Sequence, residues 1–184
     1  MAPSVVSVVV VHDPGSWFDE TLAALAGQDY PNIRFLFLVV GDPDPEILDA
    51  TSARIRSYLP AAFIRGVAGN PGFGPAANEV LRLVEGDNGF FLICHDDVAP
   101  APDAVRTMVT ELYRSNAGMV GPKFVEWEEP RVLQHVGLGL DRFGEVDPIV
   151  EPGEVDQEQH DAVRDVFVLP SACILVRADL LLEL

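Results

Sequence analysis

Three consecutive residues with chemically useful side chains, His95, Asp96 and Asp97, come directly after an apolar run of the sequence. Carboxylate oxygens are the ligands that Mg²⁺ and Mn²⁺ prefer, and a divalent cation can hold a diphosphate against an acidic protein. The triplet therefore predicts a site for Mn²⁺ or Mg²⁺ with a bound diphosphate. Acidic pairs are also common as solvated turn residues or helix caps, so this run alone leaves both interpretations open.

The second chemical feature is a glycine-rich segment, residues 70–78, with the sequence Asn-Pro-Gly-Phe-Gly-Pro-Ala-Ala-Asn. Closely spaced glycines allow the backbone to approach a ligand, and the N-terminus of a following helix favours phosphate. The segment has neither the dinucleotide-binding nor the P-loop signature. It therefore indicates contact with a phosphate-bearing ligand but leaves the class of that ligand open.

Strand and helix patterns alternate along the chain and determine where these residues lie. Apolar runs predict strands over 4–11, 33–40, 61–64 and 90–94. Apolar residues at helical spacing predict helices over 16–27, 47–58, 77–84 and 105–112. This alternation predicts an α/β fold of one domain, residues 1–184, with a mostly parallel sheet and helices on both faces.

Polar residues that follow the predicted strands should share one edge of that sheet. His12, Asp42 and Asp97 each follow such a run. Because the carboxyl ends of parallel strands meet at the same edge, which is where ligands bind in such folds, we expect these side chains to lie there together.

Beyond residue 118 the regular alternation weakens. The acidic stretch 126–161 contains many Gly and Pro residues, which indicates hairpins and a mobile loop. Further strands are predicted over 119–125, 163–168 and 173–176, and a helix begins at residue 178.

The composition is that of an acidic globular protein. The 12 Lys and Arg residues against 29 Asp and Glu give a net charge of -17, which disfavours binding to nucleic acid or anionic lipid. Cys94 and Cys173 both lie in apolar runs, which predicts buried reduced thiols and a cytoplasmic location. No apolar stretch reaches the roughly 20 residues that a membrane-crossing helix needs. The sequence therefore predicts no nucleic-acid partner and no membrane span in this chain.

The glycine-rich segment, the run that contains His95 to Asp97 and two later runs together resemble glycosyltransferase family 2. The family often carries Asn-x-Gly-Phe-Gly-x-Ala-x-Asn before the helix that leads to its metal-binding strand, and residues 70–78 are similar to it. The run 91–98 is similar to the family's Asp-x-Asp region, with Asp97 at its metal-binding second carboxylate. The runs 120–123 and 169–177 resemble its rhamnosyltransferase-like and galactofuranosyltransferase-like branches, so the likeness spans nearly the whole chain.

The resemblance implies a GT-A fold and a metal-dependent, inverting glycosyltransferase. Such an enzyme moves a sugar from a nucleoside-diphosphate sugar to a hydroxyl of a glycan or lipid-linked acceptor, in cell-envelope glycan synthesis. The resemblance also implies Mn²⁺ or Mg²⁺ at Asp97 and His95. The implied location is the cytoplasm, or the inner face of the cell membrane as part of a larger membrane-associated protein. The implied donor-binding residues are His12, Asp13, Asp42, Asp44, Asn70, Gly72, Gly74, Asn78 and Asp96.

Three departures from the family's pattern bear on these expectations. His95 stands where the family usually has a carboxylate, and the Asp that contacts the donor base is displaced to Asp42 or Asp44. The family's catalytic base usually follows the segment that 169–177 resembles, so the base is expected beyond Leu184. The chain is accordingly expected to be truncated at its C-terminus, and to be a weak or inactive catalyst because general-base catalysis contributes roughly 10²- to 10⁴-fold.

Two other functions are compatible with the residues. A noncatalytic nucleotide-binding or scaffold domain would keep the fold without the chemistry. A nucleotidyltransferase of similar fold would ordinarily carry a basic glycine-rich loop after the first strand, and residues 11–15, Val-His-Asp-Pro-Gly, contain no Lys or Arg. Release of a nucleoside diphosphate separates a transferase from a scaffold.

Overall fold

The computed structural model describes residues 2–41, 45–84 and 89–183. The first part of the chain contains, in order, β1 (Val5–Val11), α1 (Phe18–Ala26), β2 (Ile33–Gly41), α2 (Pro45–Tyr58), β3 (Phe63–Ala68), α3 (Phe73–Ala77), α4 (Val80–Leu83), β4 (Phe90–His95) and α5 (Ala104–Ser115). The second part contains β5 (Met119–Val120), β6 (Phe124–Val125), β7 (Leu133–His135), β8 (Leu138–Leu140), β9 (Val146–Pro148), β10 (Cys173–Arg177) and α6 (Ala178–Glu183).

The main sheet has six strands in the order β3-β2-β1-β4-β10-β5. β1 pairs in parallel with β2 and β4, and β2 pairs in parallel with β3. β10 runs antiparallel to both of its neighbours, β4 and β5. The chain proceeds from β1 to β3 on one side of β1 and then crosses to β4 on the other side. In open α/β sheets, ligands bind at the carboxyl ends of the strand pair where the order reverses, which here is β1 and β4.

Successive side chains of β1 lie on opposite faces of the sheet, so β1 places apolar residues on both faces. Val5, Val9 and Val11 pack on one face with α1 and α5, whereas Val8 packs on the other with α4 and α6. The predicted α/β fold, with a mostly parallel sheet and helices on both faces, is therefore confirmed. The helical stripes predicted for α1 and α5 are also confirmed by the burial of Phe18, Leu22, Leu25, Val105, Met108, Val109 and Leu112.

The third strand lies farther along the chain than the sequence predicts. β3 covers Phe63–Ala68 rather than 61–64. It pairs with β2 over this entire length, so backbone hydrogen bonds extend it beyond the point where its apolar run ends. Phe63 is 65% exposed, because β3 is the edge strand of the sheet and only part of it is covered.

The helix predicted over 77–84 is reduced to the short α4, and a separate short helix, α3, forms before it in the glycine-rich segment. Between them the backbone N–H of Glu79 donates to the carbonyl of Ala76, and that of Leu81 donates to the carbonyl of Asn78. These bonds join residues three positions apart, as in a 3₁₀-helix, and they interrupt the α-helical pattern. Helical periodicity alone does not reveal this change of hydrogen-bond spacing.

Strands predicted downstream of α5 are interrupted or absent. The strand predicted over 119–125 forms as β5 and β6, on either side of Pro122, which has no backbone N–H to donate to a ladder. The strand predicted over 163–168 is not formed, and Val168 alone of this run pairs, in an isolated bridge to β8. Phe167 is 80% exposed, so this run lacks the packed face that a strand needs. The predicted hairpins are present as the antiparallel pairs β6–β7 and β8–β9.

Cys94 of β4 and Cys173 of β10 are buried free thiols, as the sequence predicts. They are direct partners across the antiparallel ladder, and their Sγ atoms lie 3.6 Å apart. The hydrogen bond to Cys173 and burial raise the pKa of the Cys94 thiol well above its usual value. Both side chains are buried, so the pair contributes packing between the two strands.

Candidate functional site

A pocket of about 290 Å³ opens at the carboxyl ends of β1, β2 and β4, beside the reversal in strand order. The ends of these strands supply part of its lining, and the glycine-rich segment, residues 70–78, supplies the rest. Predicted site residues from three separate parts of the sequence therefore meet here. The lining residues are Val10, His12, Val40, Asn70, Gly72, Phe73, His95 and Asp96.

Asp96 connects the end of β4 to β1 and α1. Its Oδ2 accepts a hydrogen bond from the backbone N–H of His12 at 2.9 Å, across the reversal point. Its backbone carbonyl accepts a hydrogen bond from the Thr21 hydroxyl at 3.1 Å. Burial raises the pKa of the Asp96 carboxyl, the His12 bond lowers it in part, and the charge of Asp97 adds to the rise. One carboxylate oxygen of Asp96 is thus committed to holding two strand ends together.

Asp97 has a different environment from its neighbour. Its side chain is 57% exposed, and His95 Nδ1 lies 3.8 Å from its Oδ1. It does not line the pocket, but it follows the pocket residues His95 and Asp96 directly. Its carboxylate is therefore accessible to a cation at the edge of the pocket.

His95 is held between two other parts of the site. Its ring packs against Phe73 in a tilted arrangement, with ring centroids 4.1 Å apart and planes inclined at 56°. Its Nε2 lies 3.3 Å from the hydroxyl oxygen of Ser171. This leaves Nδ1 as the nitrogen on the side of Asp97. The imidazole therefore links the glycine-rich segment to the segment that precedes β10.

Asn70 shapes the glycine-rich segment at the pocket. Its Oδ1 accepts a hydrogen bond from the backbone N–H of Gly72 at 3.1 Å, and its Nδ2 lies 3.2 Å from His12 Nε2. Gly72 has φ 91° and ψ 164°, a backbone conformation that essentially only glycine adopts. This turn brings the segment against the end of β1, so both can contact one ligand.

The other residues predicted to bind the donor lie outside the pocket lining. Asp13 follows His12 in an exposed position with φ 48°. Gly74 lies within α3 with open space at the position of a Cβ, and Asn78 is the exposed residue at the end of α3. Asp42 and Asp44 lie outside the described residues.

The site also contains residues that the sequence analysis did not name as site residues. Thr21 and Ser171 contact residues 75 and 76 positions away, Asp96 and His95 respectively, and no local pattern marks such contacts. Phe73 did carry a signal, since it is the aromatic residue inside the glycine-rich segment.

The side chains that follow β4 fit part of a site for a divalent cation. Asp97 presents an exposed carboxylate next to that of Asp96, and oxygen ligands suit Mg²⁺ and Mn²⁺. Among residues 2–41, 45–84 and 89–183, no group of three or more His, Cys, Asp or Glu side chains is placed to hold a metal ion. Mg²⁺ is commonly bound by one or two carboxylates together with substrate phosphates and water. A partial set of protein ligands is therefore compatible with such a site.

Comparison with protein families gives one assignment for nearly the whole chain. The model described as "Glycosyl transferase family 2" matches residues 7–182. This span contains all of the pocket residues and the run from His95 to Asp97. None of the curated protein sequences matches the chain. In the part of the chain that the structure describes, no helix is long and apolar enough to cross a membrane.

Several solved structures share the fold at low sequence identity. The structure of S. aureus TarS 1-349 has a TM-score of 0.64 and 16% identity, over 98% of this chain and 48% of that one. A mannosyltransferase from Pyrobaculum calidifontis, PcManGT, solved with GDP-Man and Mn²⁺, has a TM-score of 0.54 and 21% identity, over 72% of this chain and 39% of that one. S. aureus TarS 1-349 with UDP-GlcNAc has a TM-score of 0.50 and 17% identity, over 72% of this chain and 40% of that one. The chain thus spans less than half the length of these structures, and the likeness shows the fold.

Proposed function

Because the chain belongs to glycosyl transferase family 2, we propose that it binds a nucleoside-diphosphate sugar and transfers the sugar to an acceptor hydroxyl. The observation that carries the proposal is that the glycine-rich segment and the residues following β4 meet in one pocket at the reversal between β1 and β4. The solved structures of similar fold that contain GDP-Man or UDP-GlcNAc support a nucleotide sugar as the ligand class.

The pocket is proposed to take the nucleoside part of the donor. Its volume of about 290 Å³ is at the lower end of the range for small-molecule sites, which suits part of a donor rather than the entire molecule. Val10 and Val40 give it apolar walls, and His12 and Asn70 give it polar groups that can orient a base or ribose. Gly72 lets the backbone approach the ligand closely. Asp13, Gly74 and Asn78 are proposed to act only at the margin of the donor site, because they do not line the pocket.

Asp97 is proposed as the protein ligand for Mn²⁺ or Mg²⁺, with His95 Nδ1 beside it. A divalent cation there would offset the negative charge that develops on the departing diphosphate. Asp96 is proposed to hold residues 95–97 in place through its hydrogen bond with the His12 N–H. The oxygen that accepts this bond is therefore not proposed as a ligand of the cation. The reaction is proposed to invert the anomeric centre, with the acceptor hydroxyl attacking opposite the departing diphosphate.

The acceptor is proposed to be a hydroxyl of a glycan or lipid-linked sugar of the cell envelope, reached from the cytoplasm or the inner face of the membrane. The support is the likeness of residues 120–123 and 169–177 to the rhamnosyltransferase-like and galactofuranosyltransferase-like branches. Ser171, in the second of these segments, contacts His95, so the segment borders the donor site.

Calorimetric titration of the purified chain with UDP, GDP and dTDP, with and without Mn²⁺, tests the donor site. We expect one nucleotide to bind, with an affinity that depends on Mn²⁺. Asp97→Ala should abolish the metal dependence, because the variant lacks the exposed carboxylate. The matched control is Asp49→Ala, which removes an exposed carboxylate from α2 and should bind like the wild type. Failure of a folded sample to bind any of the three at millimolar concentration would contradict the proposal.

Turnover separates a transferase from a noncatalytic nucleotide-binding domain. The chain is incubated with the donor of the nucleotide that binds, and release of the nucleoside diphosphate is followed with and without candidate acceptor sugars. Measurable release that requires Asp97 supports the transferase. Tight metal-dependent binding without release, with every candidate acceptor tested, would favour the noncatalytic domain. The expectation that the 184-residue chain is a weak catalyst stays a prediction, which the same assay checks.

A further inference from the structure

Thr21 is a buried polar residue on the face of α1 that packs against the sheet. Its relative exposure is 0%, and the apolar residues of the same helix face, Phe18, Leu22 and Leu25, form part of the core. A hydroxyl buried among apolar side chains is costly unless it finds a hydrogen-bond partner. The partner of Thr21 is the backbone carbonyl of Asp96, at 3.1 Å.

The carbonyl of Asp96 is part of the peptide unit that joins Asp96 to Asp97. That unit is planar, so a bond that fixes the carbonyl also fixes the direction in which Asp97 leaves the turn. The turn lies beyond the last residue of β4, where strand pairing no longer holds the backbone. The His12 N–H holds the Asp96 side chain and the Thr21 hydroxyl holds its main chain, so the turn is fixed from two elements.

We infer that Thr21 is a positioning residue for the cation site at Asp97. The inference rests on the proposed function, because it assumes that Asp97 binds a cation together with a nucleotide diphosphate. Thr21 touches neither ligand and acts through the backbone of Asp96. Loss of its hydroxyl should therefore weaken binding of the cation and leave metal-independent nucleotide binding nearly unchanged.

The test compares Thr21→Val, which replaces the hydroxyl with a methyl group, with Thr51→Val. Thr51 is also a buried threonine, but it lies on α2. The measurement is the affinity for Mn²⁺ in the presence of saturating UDP, GDP or dTDP, whichever the wild type binds, by calorimetry. Groups that orient metal ligands typically change metal affinity by 10- to 100-fold, so we expect Thr21→Val to lose about tenfold. Thr51→Val should retain the wild-type affinity, even if both variants lose similar thermal stability.

Thr21→Ser and Thr21→Ala provide a second comparison, in case Thr21→Val does not fold. The two variants remove the same methyl group and differ in the hydroxyl, so Ser should retain Mn²⁺ affinity and Ala should lose it. Equal Mn²⁺ affinity in the Ser and Ala variants, or wild-type affinity in folded Thr21→Val, overturns the inference. If the wild type binds no nucleotide with Mn²⁺, the proposed function fails and the inference fails with it. If instead the wild type binds nucleotide with Mn²⁺ and the Thr21 variants bind equally well, the inference alone fails and the proposed function stands.

Discussion

The two neighbouring carboxylates that follow β4 differ in what their oxygens contact. Asp96 accepts the His12 N–H with one oxygen, and its partial burial raises the pKa of its carboxyl. Asp97 is 57% exposed, with His95 as its ionisable neighbour at 3.8 Å. The two residues therefore have different roles. Asp96 fixes the turn after β4, and Asp97 is the carboxylate that a cation can reach. The local residue pattern does not reveal this difference, because adjacent identical residues carry the same local signal. The family resemblance does separate the two residues, since it implies metal binding at Asp97 and donor binding at Asp96.

The backbone conformation at Gly72 leads to a prediction that contrasts two nearby glycines. A Cβ at Gly72 would meet Pro75 at 3.9 Å, an ordinary contact, so the obstacle to a side chain is the backbone angle φ 91°. We expect Gly72→Ala to cost about 1–3 kcal/mol of stability, or to shift the turn and weaken nucleotide binding. Gly74→Ala is the control for stability, because Gly74 has open space at the position of a Cβ and lies in a helix, where Ala is preferred.

Thermal unfolding and calorimetric nucleotide binding are measured on both glycine variants. The expected pattern is a loss in Gly72→Ala and unchanged or higher stability in Gly74→Ala. A Gly72→Ala variant with wild-type stability and affinity would show that the turn does not shape the pocket.

At the scale of elements, α1 is braced against the segment that leads from β4 to α5. Gln28 follows α1, and its Nε2 donates to the carbonyls of Pro100 at 3.2 Å and Ala101 at 2.8 Å. Its Oε1 accepts a hydrogen bond from the backbone N–H of Val105 in α5. One side chain therefore binds backbone groups of both the loop and the first turn of the helix. The Val105 N–H belongs to the first turn, where a helix supplies no acceptor of its own. The Ala101 carbonyl, in contrast, also accepts a hydrogen bond from the Ala104 N–H.

This bracing predicts a large effect for a partly exposed side chain. Gln28→Ala should lower the free energy of unfolding by about 1–3 kcal/mol, because it removes the bonds to the Pro100 carbonyl and the Val105 N–H. The control is Gln134→Ala, at an exposed position of β7, where a loss below about 0.5 kcal/mol is expected. Urea denaturation measures both. Equal small losses in the two variants would mean that water replaces the Gln28 bonds without cost.

The loop between β9 and β10 depends on Glu154 for part of its structure. Its carboxylate accepts hydrogen bonds from Gln159 Nε2, the backbone N–H of Glu151 and His160 Nε2. The Gln159 bond, followed by those from Glu151 and His160, lowers the pKa of Glu154 to about 2. Because the carboxylate is the form that these donors favour, ionised Glu154 stabilises the loop.

A pH titration checks this stabilisation. A carboxyl group with a lowered pKa contributes stability above its unfolded value, and the contribution is lost as the pH falls through the folded value. Glu154 should therefore stabilise the fold above about pH 4.5 and lose this effect between about pH 4.5 and about pH 2. Unfolding by urea across this range should show the wild type losing stability relative to Glu154→Gln. Glu128→Gln, at an exposed position, is the control for the loss of one negative charge. If the free energy of unfolding changes with pH in the same way in all three proteins, the prediction is contradicted.

Elements with strong apolar periodicity could be predicted from the sequence, and elements shaped by pairing could not. The strands β1, β2 and β4 and the helices α1 and α5 follow the predicted runs, because burial of each apolar face decides their location. β3 extends beyond its apolar run because its length is set by hydrogen bonds to β2. The same distinction applies to the site. Asn70, Gly72 and Asp96 belong to local motifs and meet in the pocket, whereas Thr21 is brought to Asp96 only by the packing of α1 on the sheet.

At the scale of the whole molecule, the net charge of -17 opposes the compact state through self-repulsion. Salt screens this repulsion, so added NaCl should raise the melting temperature of the chain and of any variant with similar charge. A nucleoside diphosphate is also negatively charged, so the acidic protein repels it. Its binding should therefore depend on a cation bound at the site. Screening and specific binding therefore make separate contributions to stability, and a single experiment distinguishes them.

The experiment first measures the melting temperature at increasing NaCl concentrations. It then compares, at one fixed ionic strength, NaCl alone with NaCl plus Mn²⁺ and the nucleotide that binds. A ligand at 100 times its Kd stabilises the folded state by about 2.7 kcal/mol, and each kcal/mol shifts the melting temperature of a protein of this size by about 2–4 °C. The wild type should therefore melt roughly 5–10 °C higher with Mn²⁺ and nucleotide than with NaCl alone. Asp97→Ala should respond to NaCl as the wild type does but lose the additional shift, whereas Asp49→Ala should keep it. If Asp97→Ala keeps the full shift at matched ionic strength, Mn²⁺ and the nucleotide bind without the Asp97 carboxylate, and the cation site must be assigned elsewhere.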